Sequence, residues 1–152
     1  MLCVAVITAA VTFELAPDKP AAIVSATPIS ASELDAHGWH VNYDEMRLHV
    51  ENDGTFYGVY DGKEGILEGT YANNRFVGWW CQAPSHRSPD DAGQVELHFV
   101  RGDKRVLVEG NWTYGDGRAA AWQSNFYGVS LETPPDYKLE QRMQHHATCP
   151  AH

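Results

Sequence analysis

The densest group of metal-binding side chains in the sequence lies near its C-terminal end. Three histidines and one cysteine fall within eight residues, and they are His145, His146, Cys149 and His152. Imidazole nitrogen and thiolate sulfur are ligands that zinc and copper accept, and a short tail can wrap such an ion. The spacing matches no zinc finger, and the alternative is a solvated tail without a metal. Zinc or copper at these four residues is the only cofactor that the sequence suggests.

Two histidines in the middle of the sequence share a strand face with a glutamate. His49 precedes Glu51 by two residues, and His98 follows Glu96 by two residues. Such a pair can act as a general base or respond to pH. Pairing between strands on a solvated surface explains the same residues without catalysis. Because no nucleophile elbow, zinc-protease helix or phosphate-binding loop accompanies them, a hydrolase or isomerase is an alternative hypothesis only.

Large aromatic side chains offer a third kind of chemistry. The rings expected to point into the fold are candidates to line a site for a small apolar or sugar-like ligand, and they are Tyr60, Tyr71, Trp80, Trp112 and Trp122. The alternative is that these rings simply fill a core. Trp79 has the opposite parity and is expected on the outer face near the loop 83–93, where it can stack on a sugar or a protein partner. Packing of an N-terminal arm or a C-terminal helix over Trp79 is the alternative there.

A five-residue sequence repeat positions these rings. Its first position is an apolar residue, its third is glycine and its fifth is an aromatic residue, and the second and fourth positions vary. Complete copies occupy 56–60, 67–71, 76–80 and 108–112, and an incomplete copy occupies 126–130. Positions i, i+2 and i+4 of a strand lie on one face, so each copy places its apolar residue, glycine and ring together. Glycine weakens a strand unless the backbone must coil or approach a neighbour closely, as in a closing barrel. The repeat therefore predicts an antiparallel sheet with one face on a core.

Turn residues divide this region into short strands joined by hairpins. We predict an all-β fold in which an antiparallel up-and-down meander over residues 38–132 closes into a small barrel of seven or eight strands. Residues 1–37 are expected to be a signal-like apolar segment followed by a proline- and alanine-rich linker. Residues 133–152 form a C-terminal helix or tail, with the helix predicted over 137–146.

Leu67, Gly69 and Tyr71 match the pattern L-x-G-x-Y, and Trp122 begins a segment that continues to Tyr127-Gly128. In these features residues 65–131 resemble the calycin-type barrels, namely avidins and lipocalins, and exported bacterial β-meander domains with G-x-W/Y repeats. The resemblance implies a ligand-contacting role for Trp122. It does not imply biotin binding, because an early G-x-W-x-N strand is missing and Val129-Ser130 stand where avidins place an aspartate.

The first residues indicate where the protein works. The apolar run from Met1 to Phe13 is too short to span a bilayer and resembles the hydrophobic part of a secretion signal, although it lacks the positively charged start. We predict export to the periplasm or the exterior, with an ordinary N-terminal strand or arm as the alternative. In an oxidising compartment Cys81 and Cys149 can pair, which would compete with metal binding at Cys149, or they can remain two separate thiols.

The formal net charge of −9 argues against a nucleic-acid partner, because binding phosphates requires a face rich in Lys and Arg. No transmembrane span is predicted. The main hypothesis is an exported, non-enzymatic binding module whose partner is a small molecule or a protein. A structural envelope component that uses the Trp79 face is the second hypothesis, and the enzyme described above is the third.

Overall fold

The computed structural model describes residues 27–115 and 124–150 of the chain. Within them, eight antiparallel strands follow one another in chain order and close into a barrel. The strands are β1 (Gly38–Val41), β2 (Asp44–Val50), β3 (Thr55–Tyr60), β4 (Gly65–Ala72), β5 (Arg75–Cys81), β6 (Ala92–Arg101), β7 (Val106–Trp112) and β8 (Ser124–Ser130). Helix α1 (Ala31–Asp35) precedes the barrel and helix α2 (Tyr137–His145) follows it. The predicted all-β meander barrel and its C-terminal helix are confirmed.

The two ends of the barrel differ. The odd-numbered strands run toward one end, which carries the turns at 42–43 and 61–64, the loop 82–91, the end of β7 and the start of β8. We name this the open end. The turns at 51–54, 73–74 and 102–105 lie at the opposite, closed end, and α1 also lies there because it directly precedes β1.

The complete copies of the repeat occupy β3, β4, β5 and β7, and their apolar residues and rings belong to the interior cluster. Phe56 of β3 lies directly across from Gly69 of β4, and Phe126 of β8 lies across from Gly110 of β7. A methyl group at Gly69 would collide with the carbonyl oxygen of Val77 on β5. The repeat glycines Gly69, Gly78, Gly110 and Gly128 therefore serve close approach of neighbouring backbones, as the barrel interpretation predicts, whereas a methyl group at Gly58 would first meet the Leu48 side chain.

Side chains fill the barrel toward its closed end. Phe56 and Phe76 stack with ring centroids 4.1 Å apart, and Trp39 meets Phe99 edge to face at 5.5 Å. Leu34 of α1 is fully buried, and its carbonyl oxygen accepts a hydrogen bond of 3.2 Å from the Trp39 indole nitrogen. Helix α1 therefore closes this end of the interior.

Helix α1 is a feature that the sequence analysis did not predict, since residues 14–37 read as a linker without a period. The structure describes all five residues of the helix, and Leu34 alone is buried. One buried side chain is too few to produce the repeated spacing of apolar residues from which a helix is predicted. Local capping and tertiary ion pairs hold the helix instead: Ser30 Oγ accepts from the Glu33 amide at 3.2 Å, and Asp35 Oδ1 lies 2.6 Å from Arg47 Nη1 of β2.

Helix α2 packs against the outside of the barrel. Leu139 of the helix and Cys149, which lies after the helix, are buried in a second cluster. The cluster also contains outward-facing side chains of β3 to β6, which are Tyr57, Val59, Ile66, Cys81 and Ala92. Cys149 forms a disulfide with Cys81, with an S–S distance of 2.06 Å and Cα atoms 5.8 Å apart. Of the two states that the sequence leaves open for these cysteines, the structure contains the disulfide.

Candidate ligand-binding pocket

A cavity of about 170 Å³ opens at the open end of the barrel. Six aromatic side chains form most of its wall, and they are Tyr43, Tyr60, Trp80, Trp112, Tyr114 and Phe126. Leu67 and Val95 contribute from further down their strands, and Gly62, Lys63 and Gln82 contribute from the turns above. We name this cavity the aromatic pocket. Its apolar walls and polar rim are typical of sites for small molecules.

Strand direction explains how the repeat builds this pocket. The ring is the last position of each copy, and β3, β5 and β7 all run toward the open end. Tyr60, Trp80 and Trp112 therefore reach the same end of the interior although they are far apart in sequence. Three of the residues predicted to bind a ligand are thus brought together.

Tyr71 lies elsewhere, because β4 runs in the opposite direction and carries its ring to the closed end. The Tyr71 hydroxyl donates to the carbonyl oxygen of Ile29 at 2.8 Å, and its ring meets Phe99 edge to face at 5.8 Å. Burial raises the pKa of Tyr71 to about 12. Tyr71 therefore anchors the segment before α1 and does not line the aromatic pocket.

The other two predicted aromatic site residues have different outcomes. Trp79 faces outward, as its parity predicts, since it pairs with Glu68 and Gln94. It is half-buried instead of standing free in solvent. Trp122 lies outside the described residues, so its ligand role stays a prediction.

The rings of the aromatic pocket hold one another in place. Trp112 meets Trp80 at 5.0 Å and Tyr114 at 4.8 Å, both in the edge-to-face arrangement that aromatic pairs prefer. Both indole N–H groups are hydrogen-bonded: Trp112 Nε1 donates to the Tyr43 hydroxyl at 2.7 Å, and Trp80 Nε1 donates to the Thr113 carbonyl at 2.9 Å. The packing and ligand interpretations are therefore compatible, because rings that pack on each other also leave a cavity between them.

Sequence reasoning missed three of the six rings. Phe126 is the first position of the incomplete copy on β8, which runs away from the open end, so the first position and not the last one lies there. Tyr114 follows β7 by two residues and continues the inward parity of Trp112. Tyr43 lies in the turn between β1 and β2, outside any repeat, and no pattern in the sequence marks it.

The rim of the aromatic pocket is polar, and backbone hydrogen bonds fix its turns in place. Lys63 adopts a left-handed backbone conformation with φ of 49° in the short helical turn Gly62–Glu64. Its carbonyl oxygen accepts from the Ala83 amide at 2.8 Å, and the Gly62 amide donates to the Tyr43 carbonyl at 3.1 Å.

Inside the wall, burial raises the pKa of Tyr60, and the nearby Tyr43 adds to the effect. Tyr60 therefore stays a neutral hydroxyl.

The histidine and glutamate pairs lie on the outer surface, as surface pairing predicts. His98 Nε2 and Arg75 Nε both lie 2.8 Å from Glu96 Oε1, and His49 Nε2 lies 3.1 Å from Glu51 Oε1. Among the described residues that line the aromatic pocket, none is a histidine, an aspartate or a glutamate. The pairs and the pocket are therefore separate features.

The candidate metal ligands are not gathered in the described part of the chain. His145 Nδ1 lies 2.7 Å from the Gln141 carbonyl oxygen, and the His146 ring lies 4.0 Å from that of Tyr57. Cys149 is bonded to Cys81, and His152 lies outside the described residues. Residues 27–115 and 124–150 contain no group of three potential metal ligands. A zinc or copper site stays a prediction, and with the disulfide formed it would have to do without the Cys149 thiolate.

Comparison with protein-family models, curated proteins and solved structures finds no match for this chain. None of the helices that the structure describes has both the length and the apolar character needed to cross a bilayer. The aromatic pocket is therefore the feature of this protein that bears on its function.

Proposed function

We propose that this protein is a non-enzymatic binding module that takes up a small, compact, mostly apolar molecule in the aromatic pocket. The observation that carries the proposal is an aromatic-lined cavity at one end of a barrel whose other end is filled and closed by α1. A barrel built only for packing would gain from filling this space, since voids lose contacts on their lining atoms.

The size of the cavity limits the ligand. An apolar cavity of about 150 Å³ takes up benzene or xenon, and the aromatic pocket measures about 170 Å³. One six-membered ring with a small substituent fits this volume, whereas a fused polycycle or a long acyl chain would require the wall to move.

A sugar-like ligand has less support than an apolar ring. Sugars need several directional hydrogen bonds, and an unpaired polar group in a dry site costs about 1–3 kcal/mol. The described walls of the pocket are rings and aliphatic side chains whose polar groups are the tyrosine hydroxyls and two hydrogen-bonded indole N–H groups, and Lys63 and Gln82 belong to the rim. Binding in a pocket of this kind gains free energy from burying apolar surface of the ligand instead.

Titration calorimetry with phenol and with methyl glucoside tests the proposal. We expect phenol to bind with a Kd of roughly a millimolar or below, equivalent to about 4 kcal/mol, and the glucoside not to bind. Val95→Phe, which places a ring into the pocket, should abolish phenol binding. Val77→Phe is the matched control because Val77 lies on the outer face of β5 and is 43% exposed.

Circular dichroism would establish that both variants fold. Absence of phenol binding to the wild type, or unchanged binding to the Val95→Phe variant, would rule out the aromatic pocket as the site. Glucoside binding in preference to phenol would overturn the apolar ligand class.

Export to an oxidising compartment is part of the same proposal. The Cys81–Cys149 disulfide supports it, because reducing systems keep such pairs open in most cytosols. The signal-like residues lie outside the described part of the chain, and descent from calycin-type barrels stays a hypothesis with which an eight-stranded meander is compatible. The envelope-component hypothesis loses support because Trp79 is half-buried.

A further inference from the structure

We propose that the ligand of the aromatic pocket is a one-ring aromatic molecule bearing a hydrogen-bond acceptor, such as a carboxylate or a carbonyl group, and that Lys63 and Gln82 bind this group at the rim. The inference rests on the proposed function and adds the chemical class and the orientation of the ligand. It makes Lys63 the residue that determines specificity.

The pocket is divided into an apolar and a polar part. Rings and aliphatic side chains surround its depth, whereas Lys63 and Gln82 come from the turn 61–64 and the loop 82–91 at its mouth. A ligand with one apolar and one polar end is therefore oriented by the site, with the ring inward and the substituent at the rim.

The polar groups at the mouth favour an acceptor on the ligand. A lysine ammonium can only donate, and a glutamine amide adds two N–H donors beside its single acceptor oxygen. The Tyr43 hydroxyl accepts from Trp112 Nε1 at 2.7 Å, so its own hydrogen is directed elsewhere and can reach an acceptor. The two indole N–H groups are already committed to Tyr43 and Thr113. Donors thus dominate the polar side of the pocket.

Charge at the mouth disfavours the main competing class, which is a ligand cation. Six rings around a small cavity would suit a quaternary ammonium group through cation–π attraction. However, Lys63 is a cation at the mouth, and no described lining residue is a carboxylate that could offset it. The Asp91 carboxylate, which interacts electrostatically with Lys63, accepts from the Ser85 hydroxyl at 2.6 Å and the Ser85 amide at 3.1 Å. Asp91 is not among the residues that line the pocket, so it offsets part of the Lys63 charge from outside.

The net charge of the protein acts on a ligand whose acceptor group is anionic, but not on one whose acceptor group is neutral. The formal charge of −9 repels an anion at long range, but at physiological salt this repulsion decays over about 8 Å. Contact with Lys63 is closer than that, and hydrogen bonds between charged partners are about twice as strong as neutral ones. We therefore expect a carboxylate to bind more tightly than an amide of the same shape.

The test compares four benzene derivatives by titration calorimetry: benzoate, benzamide, toluene and benzylammonium. For the wild type we expect affinity to fall in this order, with benzoate about tenfold tighter than toluene. Lys63→Met should remove the advantage of benzoate over toluene. Lys104→Met is the matched control, because it removes the same charge from the turn 102–105 at the closed end and should preserve the order.

Each departure from this result has a distinct meaning. Toluene or benzylammonium binding as tightly as benzoate would overturn the assignment of an acceptor while leaving an apolar binding module in place. A benzoate advantage that survives Lys63→Met would also overturn it, because the specificity would then come from another group. If none of the four compounds binds, the proposed function falls together with this inference.

Discussion

The imidazole of His49 connects β2 to α1 at the closed end. Nδ1 lies 3.1 Å from Asp35 Oδ1 and Nε2 lies 3.1 Å from Glu51 Oε1. Burial by itself lowers the pKa of His49, but the hydrogen bonds to Asp35 and Glu51 outweigh it, so the pKa lies above its ordinary value of 6.5. A neutral ring can donate from only one nitrogen, so the doubly bonded arrangement belongs to the protonated form. Arg47 shares the Asp35 carboxylate, with its Nη1 2.6 Å from Asp35 Oδ1.

A pH-dependent contribution to stability follows from this raised pKa. The stabilisation by His49 is fully present below about pH 6.5, provided that Asp35 and Glu51 stay ionised, and is lost as the pH rises through the folded-state value. Because 39% of the His49 side chain is exposed, the effect should stay below about 1 kcal/mol. Urea unfolding of the wild type and His49→Gln should differ at pH 6 and coincide at pH 8.5.

A double-mutant cycle with Glu51→Gln serves as the control. The coupling between the two positions should be larger at pH 6 than at pH 8.5, where the neutral ring can donate from only one nitrogen. Equal coupling at both pH values would show that the charge on His49 has no part in it.

Among the elements, β7 shows why a glycine occupies the middle of most copies of the repeat. Gly110 lies between Leu97 of β6 and Phe126 of β8. A methyl group there would collide with the carbonyl oxygen of Glu96. The backbones of β6 and β7 are therefore too close for any side chain at this point, and the ring of Phe126 covers the bare backbone from the other side.

Gly110→Ala should consequently destabilise the protein by about 2–3 kcal/mol through overpacking. Gly115→Ala is the matched control: Gly115 has φ of 65°, but an added methyl group would meet no described atom within 4 Å. The control should cost only about 1 kcal/mol, the penalty of a left-handed backbone. Denaturant unfolding measures both values, and an equal or smaller loss for Gly110→Ala would contradict the close-approach explanation.

At the scale of the whole molecule, α2 and its disulfide support the wall of the aromatic pocket from outside. Arg142 donates to the carbonyl oxygens of Tyr60 and Gly65, each at 2.9 Å, where β3 turns into β4. The disulfide attaches the chain after α2 to Cys81, which lies between the pocket residues Trp80 and Gln82. The C-terminal segment is thus fastened at two places next to the pocket.

Opening the disulfide should therefore loosen the C-terminal segment. Replacing both cysteines by serine should lower the free energy of unfolding by about 2–4 kcal/mol, because the bond closes a long loop, and its sequence separation is 68. Reductant should reproduce this loss in the wild type and have no further effect on the double variant. Alkylation at cell lysis followed by mass spectrometry should find Cys81 and Cys149 unmodified, and free thiols there would argue against an oxidising compartment.

Local patterns in the sequence were sufficient for the barrel and for part of the pocket. Alternation along a strand depends only on backbone geometry, so the inward positions of Tyr60, Trp80 and Trp112 could be predicted from their spacing from a glycine. The helix at 137–145 could be predicted in the same way, from the spacing of Leu139 and Met143.

Tertiary structure decided which of these residues meet. Strand direction sends Tyr71 to the closed end and Phe126 to the open end, although both belong to the same repeat. Tyr43 in its turn, Leu34 as the single buried residue of α1, and the pairing of Cys81 with Cys149 depend on contacts between segments distant in the chain. The spacing of residues in the sequence shows which face of its strand each side chain occupies. Closure of the barrel determines which other side chains it contacts.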